Sequence, residues 1–359
     1  MWLKIEKRPE YSKGMVYATP LIALLLTILS SIILFELLGV NPMEALYQFF
    51  VAPLDSTYGF SELFVKATPL ILCAIGLSVG FRANVWNIGA EGQLLMGAIF
   101  GSSLFIYYPE TESVFLLPVM ILMGAVGGAA WAAIPAILKT RFNANEILTS
   151  LMLVYVAGLI LSFLIHGSWR DPAGFNFPES QTFSDSADMP ILIAGTRMHL
   201  GTLLALLAVL GTWIMMARTL IGFQVKVIGE APRAGGYAGF SQKRIIWFSL
   251  LFSGALAGIA GISEVSGPID QVVPVISPGY GFTAIIVAFL GRLHPVGIFF
   301  AGLLMALTYL GGETAQINLG LPLAVTGVFQ GMVLFFLLAS DVLIHYRFRW
   351  SFSRKAVSG

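Results

Sequence analysis

The sequence has few charged residues and a single cysteine. Of its 359 residues, 11% are charged and 57% are hydrophobic, whereas soluble domains have about 25% charged and about 45–50% apolar residues. So high an apolar content excludes an ordinary soluble fold. Cys73, the only cysteine, lies in an apolar stretch, which excludes an intramolecular disulfide and a cysteine-rich metal site.

The chain also lacks the short motifs of common enzyme classes. It contains no G-x-x-x-x-G-K-[ST] sequence for nucleotide phosphates, no H-E-x-x-H, no paired cysteines and no G-x-S-x-G. Its histidines are scattered along the chain, at His166, His199, His294 and His345. These absences disfavour a catalytic residue, and we expect no bound metal, cofactor or nucleic acid.

Long apolar stretches predict an all-α polytopic membrane protein. A helix needs about 20 apolar residues to cross the hydrocarbon core of a bilayer. Five stretches contain no Asp, Glu, Lys or Arg: 114–138, 147–166, 199–217, 245–263 and 321–340. Five further candidates are 17–39, 67–81 with a snorkelling Lys66 that extends it to 63, 84–108, 271–291 and 295–312. We therefore expect about ten transmembrane helices.

Proline and glycine refine this prediction. Residues 271–291 contain Pro274 and Pro278, and proline disrupts a helix interior, so we expect a bent lead-in followed by a short helix from Tyr280. Glycines cluster at 124–130 and 253–261, where small residues predict close helix packing. The first stretch lacks a small-residue cleavage site, which predicts a retained anchor rather than a signal peptide.

The basic residues predict the orientation, because cytoplasmic loops collect Lys and Arg. With ten spans and both termini in the cytoplasm, 17 of the 20 basic residues lie inside. They are Lys4, Lys7, Arg8, Lys13, Arg82, Lys139, Arg141, Arg218, Lys226, Arg233, Lys243, Arg244, Arg292, Arg347, Arg349, Arg354 and Lys355. Only Arg170 and Arg197 lie outside, and Lys66 lies near the outer interface. A nine-span arrangement fits this asymmetry less well.

Two long polar segments separate predicted helices. Residues 167–198, expected outside, are rich in Pro, Ser, Asp and aromatic residues, and loops of this length are usually functional or disordered. We expect exposed aromatic side chains at Trp169, Phe175, Phe177 and Phe183. Two interpretations stay open: contact with an external partner, or a lid packed over the chain's own helices. Residues 218–244, expected inside, have the composition of a short amphipathic helix between glycine breaks.

The cytoplasmic segment carries a first resemblance. Its central residues are Gly229, Glu230, Ala231, Pro232, Arg233, Ala234 and Gly235. This run resembles the G-x-N-P-x-A-A signature of ABC importer permeases of the ribose, galactose and branched-chain amino acid superfamily, with Ala231 at the Asn position and Gly235 at the second Ala. The resemblance implies that these residues couple the permease to a cytoplasmic ATPase.

Residues 84–101 carry a second resemblance. They read NVWNIGAEGQLLMGAIFG, which resembles the N-I-G-x-E-G-Q motif of the branch that takes up purine nucleosides and simple sugars through BMP-type lipoprotein receptors. Gln93 resembles the form found in the larger of two paired permeases. Similarity continues through 139–157, 218–244 and 279–306, so it covers most of residues 60–340.

Four polar residues are candidates for the substrate path, namely Asn87, Glu91, Gln93 and Glu264. An acid inside a membrane is costly and usually functional. Two roles stay open for Glu91 and Gln93: they fasten a broken helix start through hydrogen bonds to free backbone amides, or they line the path. Glu264 and Asp270 lie near the predicted outer mouth, where sugar hydroxyls would pass.

The resemblance implies the ABC importer permease fold, in one domain over residues 1–359, in the bacterial inner membrane. The implied cargo is a purine nucleoside or a simple sugar. The implied partners are two ABC ATPase domains, a second permease chain that is a paralogue or else another copy, an external substrate-binding lipoprotein or periplasmic protein, and the lipid bilayer.

Other function classes explain less of the sequence. An ion-coupled secondary transporter of a small polar solute would use buried acids such as Glu91 as coupling sites, but it gives residues 229–235 no role. A membrane-embedded enzyme would need an assembled nucleophile, base or metal site, and no motif for one is present.

Overall fold

The computed structural model describes residues 2–7 and 12–351, which form thirteen α-helices and two short strands. Arg8, Arg354 and Lys355, which the orientation prediction places inside, lie outside these residues. The helices are α1 (Lys13–Leu37), α2 (Pro42–Phe50), α3 (Thr57–Arg82), α4 (Ala90–Tyr107), α5 (Leu116–Phe142), α6 (Glu146–His166), α7 (Leu200–Arg218), α8 (Leu220–Glu230), α9 (Pro232–Tyr237), α10 (Gln242–Glu264), α11 (Tyr280–Leu290), α12 (Pro295–Leu319) and α13 (Ala324–His345).

Eight helices in the described part of the chain are long and apolar enough to cross a membrane. They are α1, α3, α5, α6, α7, α10, α12 and α13. The two other predicted spans correspond to α4, which carries Glu91 and Gln93 in its first turn, and to the 11-residue α11. The prediction of a helical, multi-pass membrane protein is confirmed, whereas the count of ten and the location of the termini stay predictions.

The helix bounds differ from the predicted ones where the backbone turns. The predicted span 84–108 is wrong at its start: Asn84 has a φ of 56°, residues 85–89 are non-helical, and α4 begins at Ala90. The lead-in at 271–279 and the short helix from Tyr280 are confirmed. Between them and α10, residues Val265–Ile269 form a π-helical turn that contains Pro268.

A strand pair departs from the all-α prediction. Strand β1 (Trp2–Lys7) pairs antiparallel with β2 (Tyr346–Ser351), with Leu3 opposite Trp350 and Glu6 opposite Arg347. The two segments contain alternating apolar and charged residue types, for example Phe348 between Arg347 and Arg349. Alternation of this kind favours strands over helices, and six residues are too few to cross a membrane.

The chain divides into two compact units, residues 1–52 with 311–359 and residues 53–310. The division falls within α12, and the single permease domain stays a prediction. In the first unit, α1 packs against α13, and Phe35, Phe49 and Val325 belong to one buried cluster. Phe49 also stacks on Phe329, with ring centroids 5.9 Å apart.

Helix α3 lies at the centre of the second unit. Between Val65 and Phe81 only Lys66 is not buried, because α4, α7, α10 and α11 all pack against it. A helix hydrophobic all round is favourable in such a position. The elements that carry the candidate site are therefore arranged around a common central helix.

Helices α5 and α10 cross at glycines, as the glycine clusters predict. A Cβ atom added at Gly128 would overlap the carbonyl oxygen of Gly254, and one added at Gly258 would overlap that of Gly124. The two backbones are in direct contact, which only glycine permits. Spacings of four residues on both helices place these glycines on facing sides.

This crossing makes Gly258→Ala a test of the packing. The added methyl group has no room, so we expect it to lower the free energy of unfolding by about 1–3 kcal/mol. The matched control is Gly158→Ala in α6, where a Cβ atom meets nothing within 4 Å. Thermal unfolding of the purified chain in detergent measures both, and equal midpoints for the two variants would contradict the prediction.

Candidate functional site

The segment 218–244 forms two short helices, α8 and α9, that meet at Ala231. Thr219 caps α8 by accepting a hydrogen bond from the backbone N–H of Gly222 at 3.3 Å. The prediction of one amphipathic helix between glycine breaks is wrong about where the helix is interrupted, since the break lies at Ala231 and not at a glycine. Ala231 ends α8 with φ −145° and ψ 73°, because the residue before a proline is disfavoured in the helical region, and Pro232 then begins α9.

One face of α8 is buried and most of α9 is exposed. Val225 and Ile228 are buried in the cluster that also contains Ile245 and Val79. Among the seven predicted coupling residues, Gly235 is buried and Gly229 is half-buried. The other five are exposed, namely Glu230, Ala231, Pro232, Arg233 and Ala234. Helix α9, which begins at Pro232, is therefore exposed and follows a helix, α8, whose inner face is buried.

Asn87, Gln93 and Ser253 form a buried polar network. The Asn87 side chain donates from Nδ2 to Gln93 Oε1 at 2.8 Å and to Ser253 Oγ at 3.0 Å, and its Oδ1 accepts from Gln93 Nε2 at 3.1 Å. The same Oδ1 accepts from the Gly89 backbone N–H at 3.0 Å. Each side chain is 1% exposed. Two predicted path residues thus hydrogen-bond each other and tie the start of α4 to α10.

Glu91 reaches from the first turn of α4 to the first turn of α11. Its Oε2 accepts from the backbone N–H of Gly281 at 2.6 Å, and the Ser277 hydroxyl and the Gly279 N–H lie close enough to the carboxyl group to stabilise its charge. A Cβ atom on Gly281 would overlap the Glu91 backbone, so glycine is required for this approach. An acid at helix N-termini is favourable, because free N–H groups point toward it.

Glu264 is not brought together with the other three path candidates. It is buried at the end of α10, 11 residues beyond Ser253 in the sequence, which corresponds to about 16 Å along a helix axis. Its neighbour Asp270 has a φ of 61° and follows the π-helical turn. In the described part of the chain, no group of three or more His, Cys, Asp or Glu side chains could hold a metal ion.

Glu146, at the start of α6, joins the residues that precede α4 to the end of α5. Lys139 Nζ lies 2.5 Å from Glu146 Oε2, and Glu146 Oε1 accepts from the Trp86 backbone N–H at 3.4 Å. Ser150 accepts from the Ile88 N–H at 3.1 Å. The non-helical residues 85–89 are therefore held by α6 as well as by the amide network.

The 167–198 loop packs over the break between α10 and α11. The backbone N–H groups of Phe183 and Met189 donate to the carbonyl oxygens of Asp270 and Ser266 at 2.8 and 2.6 Å. The prediction of four exposed aromatic residues is wrong for two of them. Trp169 and Phe183 are buried, with Phe183 against Phe105, whereas Phe175 and Phe177 are exposed.

Two ionisable groups in or next to this loop, Asp188 and His199, have pKa values away from their ordinary ones. Burial, with the nearby Asp270 and Asp185 carboxylates, raises the pKa of Asp188 to about 6. Burial lowers the pKa of His199 to about 4, and its Nδ1 accepts from the Gly201 N–H at 3.1 Å, which requires an unprotonated Nδ1. Arg197 makes a bidentate ion pair with the Glu62 carboxylate.

Several contacts of the candidate site were not predicted from the sequence. Ser253, Ser277 and Gly281 lie in segments that the sequence analysis describes, but each meets Asn87 or Glu91 only through tertiary packing. The Glu146 contact had a local signal, since Asn145 caps α6 and an acid follows it in the first turn. Nothing in the sequence indicated that Arg197 pairs with Glu62.

The chain is similar to known permeases over nearly its whole length. The family model for the permease component of branched-chain amino acid transport systems matches residues 59–338. A glucose ABC transporter permease protein of Haloferax volcanii is 36% identical, over 98% of this chain and 95% of the relative.

Two further relatives have names that describe nucleoside transport. A nucleoside ABC transporter permease protein of Lactococcus lactis subsp. cremoris is 30% identical, over 90% of this chain and 91% of the relative. A guanosine ABC transporter permease protein of Bacillus subtilis is 28% identical, over 89% and 92%. With the helical membrane architecture, these matches lead to one conclusion: the chain belongs to the family of branched-chain amino acid transport system permease components and is a membrane permease subunit of an ABC transporter.

Proposed function

We propose that this permease imports an uncharged simple sugar or purine nucleoside that an external binding protein delivers. The relatives named for glucose, nucleosides and guanosine support this class of cargo. Glucose and guanosine are both uncharged and rich in hydroxyl groups.

The proposed topology has ten spans with both termini in the cytoplasm. Helix α4 has 18 residues, and α11 has only 11, which is about 16 Å of helix against about 30 Å of hydrocarbon. The non-helical residues 270–279 would complete that span, and irregular backbone is tolerated at membrane depth where protein covers it. Buried Val272 and Ile276 fit such a location. Location in a bacterial inner membrane stays a prediction.

The exposed α9 is the proposed contact with the ATPase. It follows α8 in the chain and precedes α10, and three of the predicted coupling residues, Pro232, Arg233 and Ala234, are exposed in it, with Tyr237 at 95% exposure. A short helix that packs against α8, whose inner face is buried, can transmit a displacement without bending. In the complex we expect two ATPase domains and a second permease chain, a paralogue by the Gln93 resemblance or otherwise another copy.

The polar residues divide into two proposed roles. Asn87, Glu91 and Gln93 fasten the start of α4, because their polar groups are engaged by other parts of the chain. A role of Glu264 in the path stays a prediction. Ion-coupled transport fits this geometry less well, because its proposed coupling acid, Glu91, already accepts a hydrogen bond from the backbone N–H of Gly281.

Charge reversal on α9 tests the proposed ATPase contact. In the double variant Pro232→Ala with Arg233→Glu, we expect uptake to fall about tenfold or more, because both side chains are exposed and lie at the start of the docking helix. Insertion and thermal stability should not change. The control is Glu44→Lys, a charge reversal at an exposed position in α2, and undiminished uptake in the double variant would refute the contact.

Uptake of labelled solutes tests the cargo. Cells that express this chain with its neighbouring gene products should take up labelled guanosine or labelled glucose, and ATP depletion should abolish that uptake. Labelled ribose and labelled leucine serve as comparisons, since leucine is zwitterionic. Preferential leucine uptake would contradict the proposed cargo, and uptake that survives ATP depletion while depending on a proton or sodium gradient would contradict the whole mechanism.

A further inference from the structure

Helix α8 touches the turn that leads into the Asn84–Glu91 segment. A Cβ atom added at Gly229 would overlap the carbonyl oxygen of Arg82 and contact Ala83. Gly229 is therefore packed directly on the backbone at the end of α3, where the chain turns at Asn84 with positive φ. A displacement of α8 toward α3 has no side chain between the two backbones to absorb it.

The following residues, 85–89, are fixed on two sides. The Val85 N–H donates to the Gly80 carbonyl at 2.9 Å, and the Trp86 and Ile88 N–H groups bond Glu146 and Ser150 of α6. A non-helical segment with this many bonds moves as one piece with its neighbours. The turn at Arg82 is thus connected rigidly to the start of α4.

Helix α11 is attached to this segment at both of its ends. Near its C-terminus, the Phe289 ring stacks on Trp86 with centroids 5.8 Å apart. At its N-terminus, Gly281 donates to Glu91 at 2.6 Å. Gly279, the residue before α11, supplies no side-chain cap, so the free N–H groups of the first turn depend on Ser277 and Glu91.

We propose that Glu91 is a positioning residue that makes α11 follow the coupling segment. In this mechanism, which rests on the ATPase contact proposed above, a displacement of α8 at Gly229 passes through residues 82–89 to α4. The Glu91–Gly281 hydrogen bond then carries it to the first turn of α11. The 167–198 loop bonds Asp270 and Val272, so residues 273–279, which follow them and are non-helical, form the joint that lets α11 tilt against α10.

Alternatives for Glu91 differ in what they require. A residue that contacts cargo would present its oxygen atoms to an open path, whereas Glu91 is 6% exposed and its Oε2 accepts from the backbone N–H of Gly281 in α11. A residue that only stabilises the fold would act on the amount of assembled transporter. A positioning residue acts on the uptake obtained for each ATP hydrolysed.

The first test measures that ratio in the complete transporter, reconstituted in liposomes with its ATPase, partner permease and binding protein. For Glu91→Ala we expect ATP hydrolysis within about twofold of wild type and uptake per ATP reduced about tenfold, with labelled guanosine and labelled glucose as the probes. Glu91→Gln retains an oxygen acceptor at the same reach and should recover most of the ratio. The control is Glu44→Ala, another first-turn acid, which is exposed.

The outcomes of this reconstitution experiment separate the positioning role of Glu91 from the proposed function. An unchanged ratio in Glu91→Ala, or uptake and hydrolysis that fall together in proportion to assembled complex, would overturn the positioning role. A wild-type transporter with no ATP-dependent uptake would overturn the proposed function instead. If Glu91→Ala does not assemble, Gly229→Ala tests the other end of the connection, with Gly211→Ala as its control because a Cβ there meets nothing within 4 Å.

A second test follows α11 itself. Cys73 is the only cysteine, so Cys73→Ala gives a background in which Phe282→Cys, at a partly exposed site in α11, is the one thiol of this chain. We expect its maleimide labelling rate in the reconstituted transporter to change when ATP is added, and Glu91→Ala to abolish that change. A rate that is insensitive to ATP while Glu91 is present would overturn the inference.

Discussion

Backbone hydrogen bonds at the break between α10 and α11 constrain the arrangement of the second unit. Inside a hydrocarbon layer no water is present to bond free N–H and C=O groups, and each unsatisfied group costs several kcal/mol. Here distant parts of the chain supply the partners. The 167–198 loop bonds Ser266 and Asp270 from one side, and Glu91 bonds the start of α11 from the other. The loop and the motif around Glu91 thus both supply hydrogen-bond partners for the backbone at this break.

Close backbone contacts provide the second constraint. At Gly128 with Gly254 and at Gly229 with Arg82, two backbones touch without an intervening side chain. Such contacts are rigid, because packed interiors deform in discrete steps rather than continuously. The crossing of α5 and α10 gives a fixed frame, against which the shorter helices around the break can be displaced.

The sequence predicts those features that depend on local pattern. Apolar length locates the long helices, Pro274 and Pro278 locate the lead-in to α11, and the glycine clusters locate the α5–α10 crossing. It does not predict where α4 begins, because the turn at Asn84 depends on contacts with α6 and α8. Likewise, the motif identifies Glu91 as special, but its partners Gly281 and Ser277 lie nearly 190 residues away, and only the fold brings them together.

The shortness of α11 has a consequence for biogenesis. With 11 residues it offers the insertion machinery about 16 Å of apolar helix, about half of what a bilayer-spanning signal needs. If this region forms the tenth proposed span, we expect α11 to enter the bilayer together with a neighbouring long helix rather than as an independent segment. The hydrogen bond from Gly281 to Glu91 then stabilises its first turn once both parts of the chain are in place.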